Sequence, residues 1–334
     1  LFDNAPQGLV PYYASQRKTI GLMLKLECDI LVTTVQDLQS YHMKRSVAQE
    51  DIEYVYTFHG LASTHLMARP TAYDHFDTVF CVGPHQAEEL RRREEMARLP
   101  AKQLVKVGYG LYDQLVSAYA DMPAIPRQKP RILIAPSWQT DNILDTCINE
   151  ILVALLGCGY QIIVRPHPQY INTFPERMDA LSRRYADEVE GGELLFELDF
   201  SGNHSIFSSD ILITDWSGIA FEFAYCIRKP CMFINTPMKV MNPDYKEYGL
   251  EVVDITLRDK VGVSVDTNQL NTLSDKAASL LANKEDWNNQ IEAVIKKYLY
   301  YPVRSGEAGG KYLLNRLAAK GVATKLVVMV YHFS

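Results

Sequence analysis

The stretch 209–237, SDILITDWSGIAFEFAYCIRKPCMFINTP, limits the folds open to this chain more than any other. Ile211, Leu212 and Ile213 are apolar without interruption, and Thr214 and Asp215 turn polar at once. A strand buried on both faces of a parallel sheet ends in this way where it meets solvent. Asp215 or Ser217 can cap a helix there, and Ile219, Phe223, Cys226 and Ile227 recur at i, i+4, i+7 and i+8, which gives one face that must pack on a sheet. Arg228, Lys229 and Pro230 close the helix, and 231–234 reads as a second buried strand. Strand, crossover helix and strand form one parallel unit, whose helix opens on free backbone N–H groups that attract phosphate. Alone, Asp215 and Ser217 are explained as ordinary caps. Other strands that also end in polar residues favour a ligand site, because open α/β sheets bind ligands there.

The rest of the chain repeats the pattern. In the N-terminal part, 30–32 is a strand ending in Thr33 and Thr34, with a helix expected from Asp37; 53–58 is a strand ending in His59 and Gly60. Strand 78–82 leads into a charged helix over 86–98, and 104–107 ends in Gly108. This half lacks opening strands, and the first residue is Leu1, so the start reads as processed or trimmed. The segment 121–130, DMPAIPRQKP, carries three prolines in a polar setting and reads as a linker. Beyond it, strands are expected at 131–135, 161–164 and 194–198, and helices at 148–156, 175–186, 270–282 and 287–298. The apolar run 326–331 is either a terminal strand or a non-native remnant.

A length of 334 residues favours two domains, and 47% hydrophobic content fills two cores. The expected division is 1–122, 123–305 and a closing helix and tail over 306–334. The fold class is therefore α/β: two Rossmann-like parallel-sheet domains with a ligand in the cleft between them, as in GT-B enzymes. A formal charge of −6 without a long basic run argues against nucleic acid as partner; Arg91, Arg92 and Arg93 stand among Glu88, Glu89, Glu94 and Glu95, as on a solvated helix. No leader or long apolar span is legible, so a cytoplasmic place is expected. The six cysteines lack CxxC spacing and read as reduced core residues. Gly108 and Gly110 supply only part of a dinucleotide fingerprint, with Asp113 at the third glycine position and no clean helix opening. P-loop, HExxH, GxSxG and Asp-x-Asp motifs are absent.

Four motifs in order, VYTFHG (55–60), IAPSW (134–138), VRPHP (164–168) and SDILITDWSGIAFEF (209–223), resemble the CDP-glycerol glycerophosphotransferase family, teichoic-acid polymerase and primase-like enzymes of GT-B fold. The resemblance covers roughly 50–240. It implies that His59 is the catalytic base of a Trp-His-Gly-Thr motif, here with Phe58 before it and Leu61 after Gly60. It aligns Ala-Pro-Thr-Trp-Arg with 135–139, where Ser137 and Gln139 differ, and Arg-x-His-Pro with 165–168. Thr-Asp-Tyr-Ser-Ser-x-x-x-Asp falls on 214–222, with Trp216, Gly218 and Glu222 as changes; of Thr-Gly-x-Pro-Arg-x-Asp only Gly108 and Asp113 remain. The implied donor is CDP-linked, and the implied acceptor is a polymer or a lipid-linked molecule at the inner membrane face. Lys296, Lys297, Lys320 and Lys325 could meet anionic lipid there, although a solvated helix face explains them as well.

Moving a group off a nucleoside diphosphate requires a deprotonated acceptor hydroxyl and a stabilised leaving phosphate. His59 suits the first task. His167 and Arg165 can donate to phosphate oxygens, Ser217 and the N–H groups after it can hold the diphosphate, and Glu222 can accept from ribose hydroxyls. Asp215 would repel phosphate and is read as an orienter of His167 or of the helix cap. The expected catalytic set is thus His59, His167 and Asp215. The donor-binding set is Gly60, Ser137, Trp138, Arg165, Thr214, Ser217, Gly218 and Glu222, with no cofactor and no metal demanded by the motifs. Plainer explanations are a surface ion pair for Arg165 and core packing for Trp138. Alternative functions are a GT-B glycosyltransferase or sugar-nucleotide 2-epimerase, and a nucleotide-binding subunit without activity.

Overall fold

The computed structural model describes residue 10 and residues 15–123, 127–200, 202–321 and 326–329. Its strands are β1 (Ile30–Thr33), β2 (Glu53–Thr57), β3 (Thr78–Cys81), β4 (Gln103–Lys106), β5 (Arg131–Ile134), β6 (Gln161–Val164), β7 (Leu194–Phe196), β8 (Ile211–Thr214), β9 (Cys231–Asn235), β10 (Gly262–Asp266) and β11 (Leu326–Met329). They form two parallel sheets, ordered β11-β1-β2-β3-β4 and β10-β9-β8-β5-β6-β7. Helices cover both faces, so central strands such as β1, β3 and β8 are buried throughout, whereas the edge strand β4 is exposed at both ends.

The unit read from 209–237 is present as β8, helix Ile219–Ile227 and β9, with Leu212 paired to Cys231. Phe223, Ala224 and Cys226 of that helix are buried in a core that also takes Leu61, Tyr112 and Leu115 from the first lobe. The two lobes therefore share apolar packing below the cleft, where helix Gly110–Ala120 meets helix Ile219–Ile227. A helix does open after Gly108, contrary to the sequence expectation. Gly108 has φ +98° and a Cβ there would lie 2.3 Å from the Tyr300 carbonyl oxygen, so the position needs glycine for backbone geometry and close approach.

Three other expectations change. No helix follows Asp37; Asp37, Gln39 and Tyr41 have φ of 61°, 70° and 43°, left-handed values incompatible with a helix. Helix Ser305–Lys320 returns to the first sheet, where Tyr312 and Arg316 bond the buried Glu53 at 2.7 Å each, and β11 then pairs with β1. The cysteines are free, but Cys158 is exposed and not in the core. Residues 124–126 of the linker, and Lys325 of the basic set, lie outside the described residues. Lys296 pairs with Glu292 at 2.9 Å, and Lys320 bonds the carbonyls of Asp29 and Asp51. No helix among the described residues is long and apolar enough to cross a membrane.

Candidate active site

The carboxyl ends of β2, β5, β6 and β8 deliver the residues singled out in the sequence. His59 follows β2 and is exposed, yet burial of its surroundings holds its imidazole below the ordinary value, against a backbone hydrogen bond at Thr34 that favours the charged ring. Gly60 sits beside it, half-buried, with open space where a Cβ would stand.

In the second lobe, His167 ends the β6 segment and caps helix Pro168–Thr173. Its Nδ1 accepts from the Gln169 backbone N–H at 3.1 Å, so the proton of the neutral ring is on Nε2, which becomes a donor. Burial, followed by the charge of Lys239, keeps its pKa low. Trp138, half exposed at 50%, lies 6.1 Å from the His167 ring, and the Lys239 ammonium sits 5.6 Å from the Trp138 ring centre. Trp138 is thus a surface residue beside His167 and not core. Lys239 escaped the sequence reading because it lies in an irregular segment after β9 with no motif around it.

Asp215 is buried, and its two oxygens accept from three backbone groups: Ser137 N (2.8 Å), Trp216 N (2.7 Å) and Ile143 N (3.1 Å). These bonds tie the loop after β5 to the end of β8, and they make the carboxylate a loop-orienting group; it makes none with His167. Thr214 does similar work, donating from Oγ1 to the Ala135 carbonyl at 2.6 Å. Ser137, held in that way, keeps a buried hydroxyl with no protein partner. Such an orphan is costly unless a ligand meets it. Ser217 and Gly218 open helix Ile219–Ile227, which has no side-chain cap; the Ala220 and Phe221 N–H groups turn back to the Ser217 and Gly218 carbonyls, so the Gly218 and Ile219 N–H groups are what this end can offer an anion.

Two residues differ from expectation. Arg165 gives Nη1 to the Glu197 carboxylate (2.8 Å), the Gly202 carbonyl (3.0 Å) and Ser205 Oγ (3.2 Å), so its charge is compensated beside β7 rather than offered to a phosphate. Glu222 Oε1 lies 2.9 Å from the Tyr109 hydroxyl, and the same hydroxyl lies 3.0 Å from the His59 carbonyl oxygen. That contact crosses from one lobe to the other and draws the His59 segment against the first turn of helix Ile219–Ile227. Tyr109 was invisible in sequence, since nothing local marks a tyrosine between two glycines as a bridge. Among the described residues, no group of three or more His, Cys, Asp or Glu side chains is placed to hold a metal ion.

Comparisons with known proteins place the fold and the family. The wall teichoic acid polymerase TagF superposes with a TM-score of 0.55 at 15% identity, covering 88% of this chain and 74% of that one. A UDP-GlcNAc 2-epimerase from Methanocaldococcus jannaschii, solved with UDP-GlcNAc and UDP, gives a TM-score of 0.57 at 13% identity over 90% of this chain and 79% of that one. At such identities the likeness is one of fold, and with the two parallel sheets it establishes GT-B. No curated protein matches the chain by sequence. The family profile for CDP-glycerol:poly(glycerophosphate) glycerophosphotransferase matches residues 24–251, well over half the chain. This protein, a transferase by that match, belongs to the CDP-glycerol:poly(glycerophosphate) glycerophosphotransferase family.

Proposed function

We propose that this transferase moves a polyol phosphate resembling glycerol phosphate from a CDP-linked donor to a hydroxyl on a cell-surface polymer or lipid-linked acceptor. The acceptor oxygen attacks the distal phosphorus of the donor, a new phosphate ester bond forms, and the bond to CMP breaks. His59 takes the proton of the attacking hydroxyl, a task its lowered pKa fits. His167 Nε2–H, the Lys239 ammonium, the Ser217 hydroxyl and the open helix end supply positive partners for the diphosphate and the departing CMP. Ser137 offers its unpaired hydroxyl to the same ligand, and exposed Trp138 offers a ring on which the base can stack.

One observation supports this reading: the Tyr109 hydroxyl reaches both the His59 carbonyl and Glu222, which brings the main chain of the proposed base beside the first turn of the helix whose start lacks a side-chain cap. The family's own description supports the CDP-linked donor and the phosphodiester polymer. The test is a thermal-shift panel of nucleotides followed by an assay of CMP release from CDP-glycerol. Selective stabilisation by CDP, with CMP release, is expected. Selective stabilisation by UDP would instead favour a sugar-nucleotide enzyme, the reading that the fold likeness to the UDP-GlcNAc 2-epimerase keeps in view.

A further inference from the structure

Tyr109 is almost wholly buried, 2% exposed, at the start of helix Gly110–Ala120. The glycine before it comes close to the Tyr300 carbonyl, and the ring belongs to the core that the two lobes share. Its hydroxyl lies 3.0 Å from the His59 carbonyl oxygen and 2.9 Å from Glu222 Oε1. A phenol carries one hydrogen, a backbone carbonyl can only accept, and an ionised carboxylate can only accept. With Glu222 ionised, one of the two contacts would bring oxygen lone pairs together without a proton. With Glu222 protonated, both are satisfied: the carboxyl donates to the phenol oxygen, and the phenol donates to the His59 carbonyl.

We propose that Tyr109 and a protonated Glu222 are positioning residues for His59, forming a two-bond proton-ordered strap from the second lobe to the main chain that carries the base. The proposal rests on the reading of His59 as that base. The titratable groups that face Glu222 are Tyr109 from the first lobe and Cys226 one turn along its own helix, and neither is a cation. Burial pushes the Glu222 carboxyl up to about 7, and the Tyr109 hydroxyl is likewise pushed far above its ordinary range by burial and then by Glu222. Ionisation of Glu222 removes a donor from the strap. The His59 segment then loses its tie to the helix that holds the diphosphate, which lowers turnover more than substrate binding.

The test compares pH profiles of CMP release for the wild type, Glu222→Gln and Tyr109→Phe. Glutamine stays neutral and keeps an N–H that can donate to Tyr109 at every pH. The wild type is expected to lose kcat as pH rises through about 7. Glu222→Gln is expected to lose that alkaline limb while keeping the acid limb that belongs to His59. Tyr109→Phe is expected to lower kcat about ten-fold or more across the range with a smaller change in KM. An alkaline limb that persists in Glu222→Gln overturns the proposal, as does a Tyr109→Phe enzyme with unchanged kcat. A second readout does not need turnover. Difference infrared spectra of the wild type against Glu222→Gln at about pH 6, roughly one unit below the raised carboxyl value, should show a protonated carboxyl band that shifts in Tyr109→Phe. Absence of that band overturns the proton assignment. Presence of the band in an enzyme that releases no CMP from any donor upholds the strap and defeats the assigned reaction.

Discussion

At the scale of single residues, the histidines divide by which ring nitrogen is committed. His167 spends Nδ1 on the Gln169 N–H, so its function rests on Nε2–H. A glutamine amide reaches the Nε2 position, and an asparagine amide reaches only the Nδ1 position. His167→Gln should therefore keep more activity than His167→Asn, and the ratio of their kcat/KM values checks this; equal losses would contradict the donor role. His59 holds no position in the buried core, so His59→Ala should leave the melting temperature within about one degree or two, even though the protein around the ring lowers its pKa. Its kcat should fall about 10²–10⁴-fold, the range for loss of a general base. The acid limb of the wild-type profile should lie below the ordinary histidine value, because burial lowers the His59 pKa and the neutral ring is the active form.

At the scale of elements, the helix that returns to the first lobe depends on a contact made far along the chain. Asp113 Oδ2 accepts from the Ser305 backbone N–H at 2.7 Å and from its hydroxyl at 2.6 Å, acting as a borrowed cap for helix Ser305–Lys320. Asp113→Ala should destabilise the protein by about 1–3 kcal/mol, the cost of leaving buried donors unmet, and chemical denaturation would measure it. A change under a few tenths of that would show that the cap is dispensable. The family motif containing Gly108 and Asp113 thus has structural work to do even where its other residues differ. This contact also shows where reading a sequence stops. β8, helix Ile219–Ile227 and β9 were legible because buried strands and an amphipathic helix are local periodic signals. The strand ends that carry the candidate residues were legible for the same reason. The destination of helix Ser305–Lys320, the ion pair that occupies Arg165 and the Tyr109 bridge were not, because each depends on partners 32 to 263 positions away. The turn after Thr33 differs from the helix expected there because its left-handed backbone leaves no periodic trace.

At the scale of the whole molecule, the lobes are joined on one side of the cleft by the Tyr109 strap and on another by segment 62–67. There Ser63 N–H donates to Asp254 Oδ2 at 2.7 Å, Val253 N–H donates to Ser63 Oγ at 2.9 Å, and Asn242 donates to the His65 carbonyl at 3.0 Å. Asp254 is pushed up to about 6, first by burial, with its hydrogen bonds to Ser63 working in the opposite direction. A carboxyl whose folded pKa is raised binds more protons folded than unfolded, so its contribution to stability is full below its unfolded value and is lost as pH rises through the folded one. That window runs from about 4, the unfolded aspartate value, to about 6. Asp254→Asn keeps an acceptor for Ser63 but has no proton to lose. Relative to the wild type it should therefore gain stability across the window, by up to a few kcal/mol at about 1.4 kcal/mol for each pH unit the window spans, and then run parallel above it. Denaturation curves of both proteins at several pH values would show the divergence. Curves parallel from the start would mean that Asp254 titrates normally and that the lobe junction is open to water.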